Sequence, residues 1–167
     1  MSEMELTPEQ LEALEAERGR LERSFKFTHG HRVRYDEIDA QGVMGSGSWL
    51  NLLHLGRVEY LRNLGLFLEG GGAPIQLVVR RVGAEFLAPA RFDDAVILRV
   101  RVAQLGNSSC RFEYLVDNGA PLRLLVAETL VVCIDVENQR SIALPLLLRE
   151  RIAEYEAENL MVGHDAQ

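Results

Sequence analysis

The spacing of hydrophobic and polar positions changes along the chain, and each change marks an element. Thr7-Pro8-Glu9-Gln10 reads as a helix start: Thr7 is placed to cap, Pro8 suits the first helical position, and Gln10 sits where a capping-box partner reaches back. Leu11, Leu14 and Leu21, with the aliphatic stem of Arg18 between the last two, then form a narrow apolar stripe among Glu and Arg, the pattern of a helix that docks along one line and leaves a solvated charged face. From Phe25 to Asp36 the recurrence of Phe25, Phe27, Val33 and Tyr35 predicts a strand or hairpin arm. Ser48 to Leu64 predicts a second helix. Its Trp49, Leu50, Leu52, Leu53, Leu55, Val58, Leu61 and Leu64 cover nearly the whole circumference, and a helix apolar all round belongs in an interior. Gly56, unfavourable inside a helix, fits a place where a sheet approaches closely. Gly65 ends that helix, and Gly70-Gly71-Gly72-Ala73-Pro74 reads as a loop.

Beyond the loop the period falls to two. Leu77 to Leu87, Ala95 to Gln104, Cys110 to Val116 and Leu122 to Val136 read as strands rich in Val, Ile and Leu, separated by turn residues that include the Asn118-Gly119 hairpin signal. Leu98, Val100 and Val102 fall on one side of their strand, with Arg99 and Arg101 on the other. Pro145 closes the strand region, and Leu146 to Leu160 predicts a C-terminal amphipathic helix followed by a polar tail. One buried helix followed by an antiparallel meander is an α+β arrangement in which the sheet wraps the helix. No repeat or linker divides the chain. The expected organisation is a helical extension at 1–24, a single domain at 25–160 and a tail at 161–167.

Composition narrows the function. At 167 residues with 47% hydrophobic content, the chain can bury a core without disulfides or metals. A net charge of -7 argues against nucleic acid, which needs a concentrated basic face, but not against one anionic group held by local arginines. Cys110 and Cys133 sit in strands and read as buried thiols of a reducing compartment. There is no signal-like start, and no apolar run approaches the roughly 20 residues that span a bilayer, so the expectation is a cytoplasmic protein without membrane contact.

The candidate chemistry lies between Arg34 and Leu64, where a strand-like stretch, a glycine-rich bend carrying Asp39, and the helix succeed one another. The first N–H groups of a helix have no partner within it and favour negative charge beyond its end. Asp39 can therefore supply a base or nucleophile while the N–H groups near Gly45 to Ser48 hold an oxyanion. Read alone, Asp39 could equally stabilise the turn through its own backbone, and Ser46 or Ser48 could serve as helix N-cap.

The run Y-D-E-I-D-A-Q-G-V-M, the aromatic Trp49 three residues after Ser46, and R-V-E-Y-L-R-N-L-G together resemble the 4-hydroxybenzoyl-CoA thioesterase branch of the hotdog-fold acyl-CoA thioesterases. Val82 to Val96, Leu105 to Tyr114 and Ala127 to Asp135 are similar to that family's later strand blocks, so the likeness covers roughly residues 30 to 145. The resemblance implies a hotdog fold with extra N- and C-terminal helices around it. It implies hydrolysis of an acyl-CoA to free acid and coenzyme A, without metal or bound cofactor, by a homo-oligomer, dimer or tetramer, whose groove is shared between subunits. By the same resemblance Asp39 is the catalytic carboxylate, Ser46 supplies the oxyanion N–H, and Gly42, Val43, Gly45, Gly47, Trp49 and Ser109 line the substrate.

The chain departs from the family where an aromatic and then a histidine or second aromatic usually stand: it has Gly45 and Ser46. A backbone donor survives that change, whereas the aromatic wall does not. The departure motivates the alternative of a non-catalytic acyl-CoA or acyl-carrier binding protein. A hotdog dehydratase using His54 or Glu59 is a further alternative, disfavoured because Glu59 lies a turn beyond the usual helix carboxylate and reads as a buried structural group; His54 reads as packed or interfacial. His29 and His31 lack further convergent metal ligands, and Arg80, Arg81, Arg91, Arg140 and Arg149 are candidates for the phosphates of coenzyme A.

Overall fold

The computed structural model describes residues 7–66, 76–119 and 122–163. The glycine loop at 70–74 lies outside them, as do the side chains of Gln10, Leu11, Leu14, Arg18 and Leu21 and the tail beyond Gly163. Helix α1 spans Pro8–Ser24, β1 Phe27–Arg32, α2 Ser46–Asn63, β2 Leu77–Phe86, β3 Ala95–Leu105, β4 Ser109–Asp117, β5 Arg123–Asp135, β6 Arg140–Ser141, α3 Leu146–Glu156 and β7 Met161–Val162.

The main sheet runs β1-β3-β4-β5-β2, antiparallel throughout this path, and α2 crosses one face of it. The two-residue alternation predicted for β3 is realised. Leu98, Val100 and Val102 are fully buried toward the helix, and on the other face Arg99 pairs with Asp117 at 2.6 Å and Arg101 with Glu113 at 2.6 Å. Phe112, Tyr114, Leu125 and Val131 complete the floor on which Trp49, Leu52, Leu53 and Tyr60 pack. Gly56 sits where the helix touches the sheet: a Cβ there would lie 3.0 Å from Val100 Cγ2 and would overlap Leu98. Only a residue without a side chain lets the axis come so near.

Several expectations need correction. α2 begins at Ser46, not Ser48, and it is buried on one face, through Trp49, Leu52, Leu53, Gly56, Arg57, Tyr60 and Leu61. These recur every three or four residues, as one helix face must. Leu50 stays 44% exposed and Leu55 and Val58 are partly exposed, so the apolar circumference is not enclosed by this chain's own sheet. The Asn118-Gly119 hairpin signal, by contrast, does fall between the antiparallel β4 and β5; Gly119 takes φ +78 there, and its N–H donates to Asp117 Oδ1. The tail expected at 161–167 starts as a strand: Met161 and Val162 pair in parallel with Gln104 and Leu105 of β3.

Candidate active site

Asp39 stands in a tight turn made by D-A-Q-G. Its backbone N–H donates to Val43 O at 2.8 Å, and Gly42 N–H donates back to Asp39 O at 2.9 Å. Gly42 takes φ +75, a conformation that glycine enters without steric cost, which closes the loop and starts the return strand segment. The turn is pinned at both ends. Ile38 bridges Met44, Gly45 N–H donates to Glu37 O at 3.0 Å, and Met44 N–H donates to Ala90 O at 2.8 Å. Upstream, Glu37 Oε2 accepts from His31 Nε2 and from Arg34 N–H, both at 2.8 Å, so His31 serves the short 3-10 turn at Tyr35–Glu37. No group of three or more His, Cys, Asp or Glu with metal-binding proximity occurs among the described residues.

Within the turn the carboxylate is oriented by its own loop. Oδ1 accepts Gln41 N–H at 2.8 Å and Val43 N–H at 3.4 Å, and the Gln41 carboxamide, with its NH2 toward Asp39, reaches each oxygen at 3.0 Å. The turn-stabilising role of Asp39 is thus real, and it also fixes where the acid group points. Asp39 is exposed.

Gly45 joins this turn to α2. It is the N-cap, with φ -70 and ψ 154, and no side chain caps the helix, so neither Ser46 nor Ser48 performs that function. The helix N–H groups of Ser46, Gly47 and Ser48 have no hydrogen-bond partner among the described residues. A Cβ on Gly45 would lie 3.9 Å from Asp39 Cβ, which measures how closely the helix start abuts the carboxylate. Asp39, Gly42, Val43, Gly45, Ser46 and Gly47 are therefore brought together. Trp49 and Ser109 are not. Trp49 is 3% exposed and belongs to the core. Ser109 is buried at the start of β4 and alternates with the helix-facing Cys110, which turns it to the other side of the sheet.

A family model described as the thioesterase-like superfamily matches residues 33–154. The chain belongs to this superfamily. Among its curated relatives, the acyl-CoA thioester hydrolase YbgC of Escherichia coli (strain CFT073) is 32% identical over 115 residues, spanning 68% of this chain and 86% of that one. The acyl-CoA thioesterase YbgC of Haemophilus influenzae is 28% identical over 121 residues, spanning 71% and 88%. Among solved structures, a Thermus thermophilus thioesterase complexed with coenzyme A and Zn superposes with TM-score 0.68 at 26% identity, covering 81% of this chain and 97% of that one. A 1,4-dihydroxy-2-naphthoyl-CoA thioesterase from Synechocystis gives TM-score 0.70 at 22% identity, covering 77% and 96%, and supports the hotdog fold.

Two polar clusters of this thioesterase-like protein escaped the sequence reading. Arg57, 9% exposed, donates to Tyr114 Oη at 3.2 Å and to His54 Nδ1 at 2.9 Å, while Tyr114 Oη and Thr129 Oγ1 are 2.8 Å apart. His54 is itself exposed; partial burial and then the neighbouring Arg57 charge hold its pKa below the ordinary 6.5. The second cluster is Glu156, fully buried, whose Oε1 accepts from Tyr60 Oη at 2.5 Å and Val102 N–H at 3.0 Å. Burial pushes its pKa up, against the opposing pull of those two donors. Leu148, Ile152 and Glu156 recur at steps of four on the buried face of α3, so a carboxylate at a core position of the helical period was the available signal.

The remaining candidates are structural or peripheral. Glu59 is part-exposed and pairs with Arg62 at 2.5 Å, rather than being fully buried. Arg149 clamps the turn before β4 through the carbonyls of Gly106 and Asn107, and Arg81 lies 3.5 Å from Glu128. Arg91 is exposed and its backbone bridges Val43, which puts it beside the Asp39 turn. Cys110 and Cys133 are buried, unbridged thiols, with burial pushing Cys110 up to about 12. No described helix is long and apolar enough to cross a membrane.

Proposed function

We propose that the chain is an acyl-CoA thioesterase that uses Asp39 and the N-terminus of α2 on the two sides of a thioester carbonyl. The observation that carries this reading is the abutment of the oriented Asp39 carboxylate on a helix start whose first N–H groups are unpartnered. A carbonyl oxygen held by Ser46 N–H becomes more electrophilic at carbon, and the charge that develops on it in the tetrahedral intermediate is stabilised by the helix end. Asp39 acts on that carbon, either as nucleophile to give a mixed anhydride or as base toward water. Coenzyme A leaves in both routes, and water, attacking the anhydride in the first and the thioester in the second, completes release of the free acid. The hydrolase names of the YbgC relatives support the same activity. Gly45 has no side chain and Ser46 only a small one, which leaves room for a bulky acyl group.

A single copy presents this site on an open surface. β2 is the outer strand of the main sheet, and its Val79, Val82 and Phe86 are 42%, 44% and 52% exposed. Val79 and Val82 pair with the helix-facing Val131 and Thr129, so the apolar stripe continues on the helix side of the sheet. An uncovered edge with such a stripe favours association, and we take the working enzyme to be a dimer or tetramer whose groove closes between copies. α1 precedes the span matched by the family and is read as an appendage to the hotdog domain.

Thiol release from a panel of aromatic and aliphatic acyl-CoAs tests the reading. Hydrolysis above background supports it. Thermal stabilisation by acyl-CoA with no thiol released overturns it in favour of a binding protein, the alternative that the bare Gly45-Ser46 step motivates.

A further inference from the structure

The catalytic reading leaves Arg57 unused, and its environment is unusual. A guanidinium is a permanent cation, and a buried one is costly unless an anion or a full set of acceptors compensates it. Arg57 forms no ion pair among the described residues. Its acceptors are the phenol of Tyr114 and the imidazole of His54, both neutral. No anion among the described residues therefore cancels the positive charge, and the imidazole stands between it and the exposed side. Because His54 Nδ1 accepts from Arg57, the ring proton resides on Nε2, and His54 presents that N–H on the exposed side of the helix.

The direction in which this donor faces connects it to the proposed site. Ser46, Leu50 and His54 follow one another at steps of four along α2, and all three are exposed. Residues four apart lie one above another on a helix face. The track thus begins at the N–H that holds the carbonyl, continues over an apolar side chain that is 44% exposed, and ends on an imidazole backed by an uncompensated buried cation. Ser46 and His54 are separated by roughly 12 Å along the axis, and the tilt of helical side chains toward the N-terminus brings the imidazole nearer.

We propose that the His54–Arg57 pair recognises a carboxylate at the far end of the acyl group, making the preferred substrates coenzyme A monothioesters of medium-length dicarboxylic acids. The inference rests on the reading of Ser46 N–H as carbonyl holder and adds the substrate class. Apolar methylenes cover Leu50, and the terminal carboxylate accepts from His54 Nε2–H and supplies the anion that Arg57 lacks. Tyr114 and Thr129 hold the guanidinium in place and are positioning residues.

The test is calorimetric binding of paired unreactive analogues to the full-length chain, in which a methylene between sulfur and carbonyl blocks cleavage. The two members of each pair have equal length and end in a carboxylate or a methyl group. The carboxylate member is expected to bind at least tenfold more tightly to the wild type. His54→Ala and Arg57→Met should abolish that preference by weakening the carboxylate analogue alone. Equal affinity of the two analogues for the wild type, or equal weakening of both in His54→Ala, overturns the proposal, as does failure of the carboxylate analogue to bind. His54 is exposed, so its variant keeps the test decisive should Arg57→Met fold poorly. Failure of the hydrolase reading shows separately, as absent thiol release from any acyl-CoA.

Discussion

Ser46→Pro separates the backbone donor of the proposed oxyanion site from everything else that the helix start does. Ser46 is the first helical residue, after the N-cap Gly45. Proline is favoured at that position because its ring sets the helical φ and the N–H it lacks is one the helix does not use. The preceding residue must be extended, and Gly45 already is, with φ -70 and ψ 154. The fold should therefore accept the change within about 1 kcal/mol, and the fixed φ can even stabilise it by reducing the freedom of the unfolded chain. Catalysis should not accept it. Removing one oxyanion donor costs about 10²–10³ in kcat, or roughly 3–4 kcal/mol of transition-state stabilisation. Because the interaction strengthens as charge develops, kcat and kcat/KM should fall together, with KM nearly unchanged. Ser46→Ala is the control: the Ser46 side chain makes no cap hydrogen bond, and its loss should leave both stability and turnover close to wild type. Melting temperature and steady-state thiol release on the three proteins decide the matter. A folded Ser46→Pro enzyme with wild-type kcat would refute the assignment of this N–H.

Two further perturbations examine the framework. Gly56→Ala gains about 1 kcal/mol of helix propensity but forces a Cβ to 3.0 Å from the stiff Val100 side chain and into Leu98, both fully buried, so overpacking of roughly 1–3 kcal/mol should prevail. A melting temperature a few degrees below wild type is expected, with partial rescue by Leu98→Val; an increase would contradict the close approach. For Glu156 the expected effect is a pH dependence. Its carboxyl titrates above the ordinary 4.5 in the folded protein, so the stability linked to its proton is complete below that value and is lost as pH rises through the elevated one. Glu156→Gln cannot ionise, and the stability advantage of wild type over this variant should shrink steadily as pH rises from 4.5; a gap constant with pH would contradict the shift.

Much of this architecture is legible because it depends on period. The alternation of Leu98, Val100 and Val102 against Arg99 and Arg101 reports a sheet with two unlike faces, and Gly56 marks where helix and sheet meet. The one-sided burial of α2 is not legible, since Leu50, Leu55 and Val58 are as apolar as the residues that the sheet covers, and a pattern does not say which surface covers them. Asp39 could be picked out, but its orientation depends on the turn that Gly42 closes at φ +75 and on Gln41, which a motif does not resolve. Arg57 looks like a surface charge in a string of letters, and Glu156 stands out only through its step of four from Leu148 and Ile152. Their burial follows from partners far along the chain, Tyr114 for one and Tyr60 and Val102 for the other.

The central claim is that the Asp39 carboxylate performs the attack or activates the water, and single-turnover hydrolysis by Asp39→Asn measures it. Asparagine keeps an oxygen to accept from Gln41 and Val43, so the turn and the melting temperature should hold. The rate of the chemical step should fall by orders of magnitude while acyl-CoA still binds. A folded Asp39→Asn protein that cleaves acyl-CoA at the wild-type rate would contradict the account.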